Sequence, residues 1–367
     1  MPKSLIVCCD GTWNSYDDPC PTNVFKLRNL ILPDGPAGVR QSAYYDSGIG
    51  TRGSWIERTF DGATGRGLSE NVRQAYRALV DNYEPGDALY LFGFSRGAFT
   101  VRSLAGLIRN CGILRRDQRD MVESAYDYYR DPDPAKRPDT PAAEAYRRAH
   151  AVEPATFIHF IGVWDTVGSL GNPLMRHSLI NRRLRFHDLS LSSYVRNAFQ
   201  ALAIDEYRLQ FQPAIWRQQP HAREQVMRQA WFVGAHSDVG GGYPDSGLSN
   251  ISLGWLARRA ARCGLAIDEA SLRGRLGESY PDWMSMPHDS HRGFYTWFPS
   301  SPRAIDRPAA DKGGRPATNE RLHWTVIERY RQDLGYRPVA LLEYIRRNPG
   351  VLEGEPRSNT LLESPDL

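Results

Sequence analysis

The run Ala88-Leu89-Tyr90-Leu91-Phe92-Gly93-Phe94-Ser95-Arg96-Gly97-Ala98-Phe99 constrains this chain more than any other segment. An apolar stretch of strand character passes directly into Gly-x-Ser-x-Gly, and a helical pattern follows to about Asn110. A serine where a strand reverses into a helix takes a sharp, strained turn that exposes its hydroxyl. Gly93 and Gly97 lack Cβ atoms, so strand and helix can close around that turn. Ser95 is therefore a candidate nucleophile, and the Arg96 amide at the helix start is a candidate oxyanion donor.

Such a strand needs neighbours, and the rest of the chain supplies them. Ser4 to Cys9 reads as a buried strand that stops at Asp10-Gly11. Ser42 to Tyr45 reads as a short strand running into a glycine-bearing loop, Asp46 to Gly50. Ala155 to Trp164 and Gln225 to Gly234 read as two longer strands. Helical spacing covers Asn23 to Leu32, Ser69 to Tyr83, Ile251 to Cys263 (with Gly264 at C′) and Pro338 to Arg347. The alternation predicts an α/β fold, a mostly parallel sheet with helices on both faces. The expected organisation is one domain over 1–367. Its core runs from about 4 to 264, with a charged, partly helical insertion at about 115–150 and a C-terminal extension over 265–367. In that extension the pattern weakens, and Trp283, Phe294, Tyr295, Trp297 and Phe298 crowd a Pro/Gly/Ser-rich stretch. These aromatics line an acyl pocket or a lid, or pack locally under a long loop; the spacing does not separate these.

The apolar content of 41% and charged content of 24% are ordinary for a globular protein, and the net charge of +4 does not call for nucleic acid. The cysteines, Cys8, Cys9, Cys20, Cys111 and Cys263, form no metal-ligand spacing, and no metal or cofactor is expected. The N-terminal apolar run is too short for a secretory signal and no stretch reaches membrane-span length. The expectation is a cytoplasmic, soluble chain as made, with peripheral membrane contact left open.

A serine hydroxyl needs a base within reach, and the base needs an orienting acid. In chains of the α/β-hydrolase type the order is Ser, then Asp or Glu, then His. Asp165 ends one predicted strand and His236 ends the next, so Ser95, Asp165 and His236 satisfy that order. Asp238 and Asp245 remain rivals to Asp165. Gly11 and Thr12, in the loop after the first strand, are candidates for a second oxyanion amide. Asp10 organises that loop or receives amides from Ser47 and Gly48; Asn14 follows in the same loop. Arg96 and Arg102 either attract a phosphate headgroup or form ordinary ion pairs.

Taken together, Cys9-Asp10-Gly11-Thr12-Trp13-Asn14, Gly93-Phe94-Ser95-Arg96-Gly97-Ala98, Gly162-Val163-Trp164-Asp165-Thr166-Val167-Gly168, Ala201 to Glu206 with Phe211-Gln212-Pro213, and His236 to Gly241 resemble a known family. It is the α/β-hydrolase family that includes the catalytic domain of type VI secretion phospholipase effectors, matched over roughly 4–260. The resemblance implies an α/β-hydrolase-like fold with Ser95 as nucleophile, Asp165 as acid and His236 as base. It implies a lipid or other ester substrate cleaved at an acyl ester, and a secretion or immunity partner if the chain is an effector. The chain departs from effector members in being little more than the catalytic domain. Esterase, thioesterase or amidase action on a soluble substrate, and a binding module without turnover, are the alternatives.

Overall fold

A computed structural model describes residues 2–11, 19–48, 65–167, 190–276, 282–292, 296–297, 299–306, 318–353 and 362–363. In chain order its elements are β1 (Ser4–Cys9), α1 (Asn23–Leu30), β2 (Gln41–Asp46), α2 (Gly65–Asn82), β3 (Ala88–Phe94), α3 (Arg96–Cys111), α4 (Val122–Arg130) and α5 (Pro141–His150). There follow β4 (Ile158–Trp164), β5 (Val195–Ala203), β6 (Val226–Phe232), α6 (His236–Gly240), α7 (Gly247–Arg262), α8 (Glu269–Leu276), β7 (Glu320–His323), α9 (Trp324–Gln332), α10 (Val339–Arg347) and β8 (Leu362–Glu363).

The strands form one parallel sheet of 8 strands, in the order β2-β1-β3-β4-β5-β6-β7-β8. A parallel sheet buries both faces, which is why β1 and β3 are near-continuous apolar runs. Along β1 and β3 the side chains alternate between two cores. Ile6, Cys8, Tyr90, Phe92 and Phe94 pack with α1 and α7 on one face. Leu5, Val7, Cys9, Leu89 and Leu91 pack with α2 and α3 on the other. The expected insertion joins the second core through Val122, Ala125 and Tyr126 of α4.

The strand order reverses between β1 and β3, and crevices at such switch points hold ligands at the carboxyl ends of the strands. The register sets Cys9 level with Gly93 and Phe94 level with Trp164. Asp10, Ser95 and Asp165 therefore leave neighbouring strands at one edge.

Three features differ from the sequence expectation. β5 lies where no strand was predicted, because Arg196, Asn197 and Gln200 interrupt its apolar pattern. Gln200 is nevertheless fully buried, satisfied by Ala214 O and Arg102. The C-terminal stretch is more ordered than its composition suggests. β7 extends the sheet, while Val326 and Ile327 of α9 and Leu341 and Tyr344 of α10 enter the same core as α1 and α7. Finally, Trp283 packs on that core whereas Trp297 is exposed, so these two aromatics do not share one packing environment. Phe294, Tyr295 and Phe298 lie outside the described residues.

Candidate active site

Ser95 sits between β3 and α3 with φ 55° and ψ −117°. A non-glycine residue held there costs about 1–3 kcal/mol and persists only where its surroundings enforce it. Three contacts enforce it here. The Ser95 N–H continues the β-ladder to Trp164 O at 3.1 Å. A Cβ on Gly93 would stand 2.5 Å from Gly97 O, and one on Gly97 would stand 2.0 Å from Cys9 O. Only glycines permit the helix to start this close to β1 and β3. This is the strand–turn–helix arrangement of an α/β-hydrolase-like fold.

Asp165 leaves β4 with its own positive φ of 38°. Its carboxylate is fully buried and faces three groups. Oδ2 meets His236 Nδ1 at 2.6 Å, and Oδ1 accepts the Ala203 N–H at 3.1 Å. The Arg303 guanidinium donates to Oδ1 at 2.6 Å and Oδ2 at 2.9 Å, a bidentate fork. Burial acts to raise the Asp165 carboxyl, but the Arg303 charge and the His236 contact outweigh it and hold the group well below the usual carboxylate range.

His236 opens α6, beyond the end of β6. Its ring lies 4.6 Å from the Phe94 ring and 5.0 Å, edge-on, from Phe211. Phe94 directly precedes Ser95, and a Cβ on Gly240 would fall 2.0 Å from the Phe94 ring. Phe94 thus ties α6 to the elbow. An ionised carboxylate only accepts, so Asp165 selects the tautomer with the proton on Nδ1 and the lone pair on Nε2. Burial pulls the imidazole below its ordinary value, against the opposing effect of Asp165.

The rival acids are placed elsewhere. Asp238 accepts the Ala235 N–H and the His288 N–H, each at 2.9 Å, and pairs with His288 Nδ1 at 2.6 Å. Asp245 accepts the Gly247 N–H at 3.0 Å. Asp10 accepts from Gly11 N–H at 2.8 Å, Thr22 Oγ1 at 2.5 Å and Tyr45 OH at 2.9 Å, which ties the end of β1 to the start of α1 and to β2. The Gly48 amide, expected on Asp10, donates instead to Asp46 Oδ1. The Gly11 N–H, a candidate oxyanion donor, is engaged by Asp10, and a Cβ on Gly11 would stand 3.4 Å from Ser95 Cβ. Thr12 and Asn14 lie outside the described residues. Arg102 is directed to Gln200 and Ala214 O and packs over Trp216, in neither of the settings anticipated for it.

The sequence reading passed over several side chains. Glu206 is buried and accepts the His236 N–H at 3.3 Å, Arg208 Nε at 2.8 Å and Ser290 Oγ at 2.9 Å. Burial acts to raise its carboxyl, and Arg208 more than offsets this, leaving it low. Two carboxylate–guanidinium pairs therefore hold His236, Asp165–Arg303 at the imidazole and Glu206–Arg208 at the backbone N–H. Glu206 had a visible signal, the second of two acidic residues that follow the apolar run Ala201–Ile204. Arg303 had none. A cavity of about 330 Å³, lined by Asp205, Tyr207, His288, Asp289 and Tyr336 among others, includes none of Ser95, Asp165 and His236. Among the described residues no group of three acidic, His or Cys side chains is placed to hold a metal ion.

The family model described as T6SS phospholipase effector Tle1-like, catalytic domain, matches residues 3–259. An uncharacterized protein of Saccharomyces cerevisiae is 30% identical over 237 residues, 60% of this chain and 33% of that protein. The chain thus spans about a third of the length of that curated relative. The Tle1 effector bound to the VgrG spike of the type 6 secretion system superposes with a TM-score of 0.37 at 22% identity, over 66% of this chain and 52% of that one. An uncharacterized protein from Pseudomonas aeruginosa gives 0.41 at 17% identity, over 74% and 47%.

Proposed function

The chain belongs to the Tle1-like phospholipase effector catalytic-domain family, and we propose that it hydrolyses an acyl ester of a lipid, a glycerophospholipid first among them, through Ser95, His236 and Asp165. The observation that carries this reading is the strained Ser95 turn beside a buried Asp165–His236 pair. His236 Nε2 removes the Ser95 Oγ proton as Oγ attacks the ester carbonyl. Asp165 holds the tautomer and balances the imidazolium that forms. The oxyanion develops at the start of α3, where the Arg96 amide and the positive end of the helix stabilise it. His236 returns its proton to the leaving alcohol, and water then cleaves the acyl-enzyme by the same steps in reverse.

A lipid substrate is supported by the surface as well. Among the described residues, the large apolar side chains most open to solvent are Met286, Leu334 and Trp297, at 77%, 81% and 86% exposure. Met286 and Leu334 are the chain neighbours of Pro287 and Gly335, which line the cavity. No helix among the described residues is long and apolar enough to cross a membrane. In an effector setting the partners would be a secretion spike and an immunity protein.

The test is a panel of phospholipid vesicles and short-chain nitrophenyl esters, with products identified, run on the wild type and on Ser95→Ala. Release of fatty acid from vesicles, lost in Ser95→Ala, is the expected result. Turnover of soluble esters alone would redirect the reading to a general esterase. Full activity in Ser95→Ala would end it.

A further inference from the structure

Arg303 comes from the C-terminal stretch, beyond the residues matched by the family model. It is among the largest fully buried side chains in the described structure. Its fork closes on both oxygens of Asp165, and its remaining contacts run to Ala203 O at 2.8 Å and to Phe211 O. A guanidinium so deeply buried is tolerated only when paired and hydrogen-bonded in this way. Orienting an imidazole requires only a carboxylate and its hydrogen-bond donors, so a full positive charge on the acid asks for a separate reason.

We propose that Arg303 is a positioning residue for proton transfer at His236: its fork fixes Asp165 so that Oδ2 meets Nδ1, and its charge balances the carboxylate. The inference rests on the Ser95–His236–Asp165 reading. The groups facing the imidazole make the argument specific. Asp165 meets the ring from β4 with Arg303 on it, while Glu206, beyond β5 and paired with Arg208, accepts the His236 backbone N–H and acts on the ring through charge alone. Asp238, on α6 itself, is turned to His288, and the rings of Phe94 and Phe211 cover the imidazole. The imidazole thus lies in an apolar, charge-balanced site that favours its neutral, proton-accepting form. Without Arg303, the Asp165–His236 pair takes up a proton at higher pH. The base is lost whichever partner holds that proton.

The test is an NMR titration of the His236 imidazole in a Ser95→Ala background, assigned by loss of the signal in His236→Gln. Arg303→Met is expected to raise the midpoint by about one pH unit, a tenfold change in proton affinity. Arg303→Lys restores a point charge without the fork, so its midpoint stays near that of the parent. With Ser95 intact, Arg303→Lys is expected to lower kcat on a short-chain ester about tenfold at unchanged KM. An unmoved midpoint in folded Arg303→Met overturns the proposal. If that variant does not fold, Arg303→Lys with wild-type kcat overturns it. The titration requires no turnover, so it reads Arg303 even if Ser95→Ala keeps its activity and the acyl-transfer reading falls.

Discussion

Two carboxylate–imidazole pairs lie at this end of the sheet, Asp165–His236 and Asp238–His288, and their Nδ1–Oδ separations are the same 2.6 Å. Everything around them differs. The His236 side chain is 6% exposed between two phenyl rings, whereas that of His288 is 36% exposed and stacked on Tyr243. Asp165 carries a guanidinium and is held low, while Asp238 is bonded to backbone amides and burial pushes it up. Asp238 bridges the start of α6 to the C-terminal stretch. The comparison teaches that a short carboxylate–imidazole contact does not by itself mark a base. Burial and charge balance set the two pairs apart, and the His236 ring also packs on Phe94, the residue before Ser95.

The largest expected effect separates the two histidines. His236→Ala, like Ser95→Ala, should lower kcat for ester hydrolysis by about 10⁴–10⁶, and His288→Ala by no more than about threefold. Equal losses at the two positions would break the distinction. The acids come next. Asp165→Asn should cost roughly 10⁴ in kcat through the wrong tautomer. Asp238→Asn should change kcat about tenfold or less, yet lower stability by about 1–3 kcal/mol in urea unfolding.

A smaller effect sharpens the electrostatic side. His236 titrates below its ordinary value of 6.5, so the acidic limb of kcat/KM should fall below that pH. A limb above it would mean that Asp165 outweighs burial. The smallest effect concerns Asp205, which binds the Gly234 N–H and Tyr336 OH beside this site and is raised by burial from 3.8 to about 6. The folded state then holds the proton more tightly, so stability declines as pH rises from roughly 4 to 6 and stays lower above. Asp205→Asn should raise the melting temperature more at about pH 8 than at about pH 4.5, by no more than about 3 kcal/mol in equivalent free energy. An equal change at both pH values would show that Asp205 does not titrate in this range.

The parts legible in the sequence are those built from local patterns. Apolar runs marked β1, β3 and β4, a mixed run marked β6, and Gly-x-Ser-x-Gly marked the turn, because a parallel strand and a strained elbow each leave a contiguous signature. The chain order of Ser95, Asp165 and His236 was legible for the same reason. β5 was not, since its buried Gln200 is satisfied by Ala214 and Arg102, distant in the chain.

What the tertiary structure alone decided is which charges meet. Asp165 fitted the chain order with Asp238 and Asp245 as rivals, and among the described residues the fold sets Asp165 against His236. Arg303 lies 138 residues from Asp165 in a stretch without periodicity, and it is placed by the packing of the C-terminal elements. Strand and elbow formation depend on neighbours in sequence. The pairing of buried charges depends on neighbours in space, which no local pattern encodes.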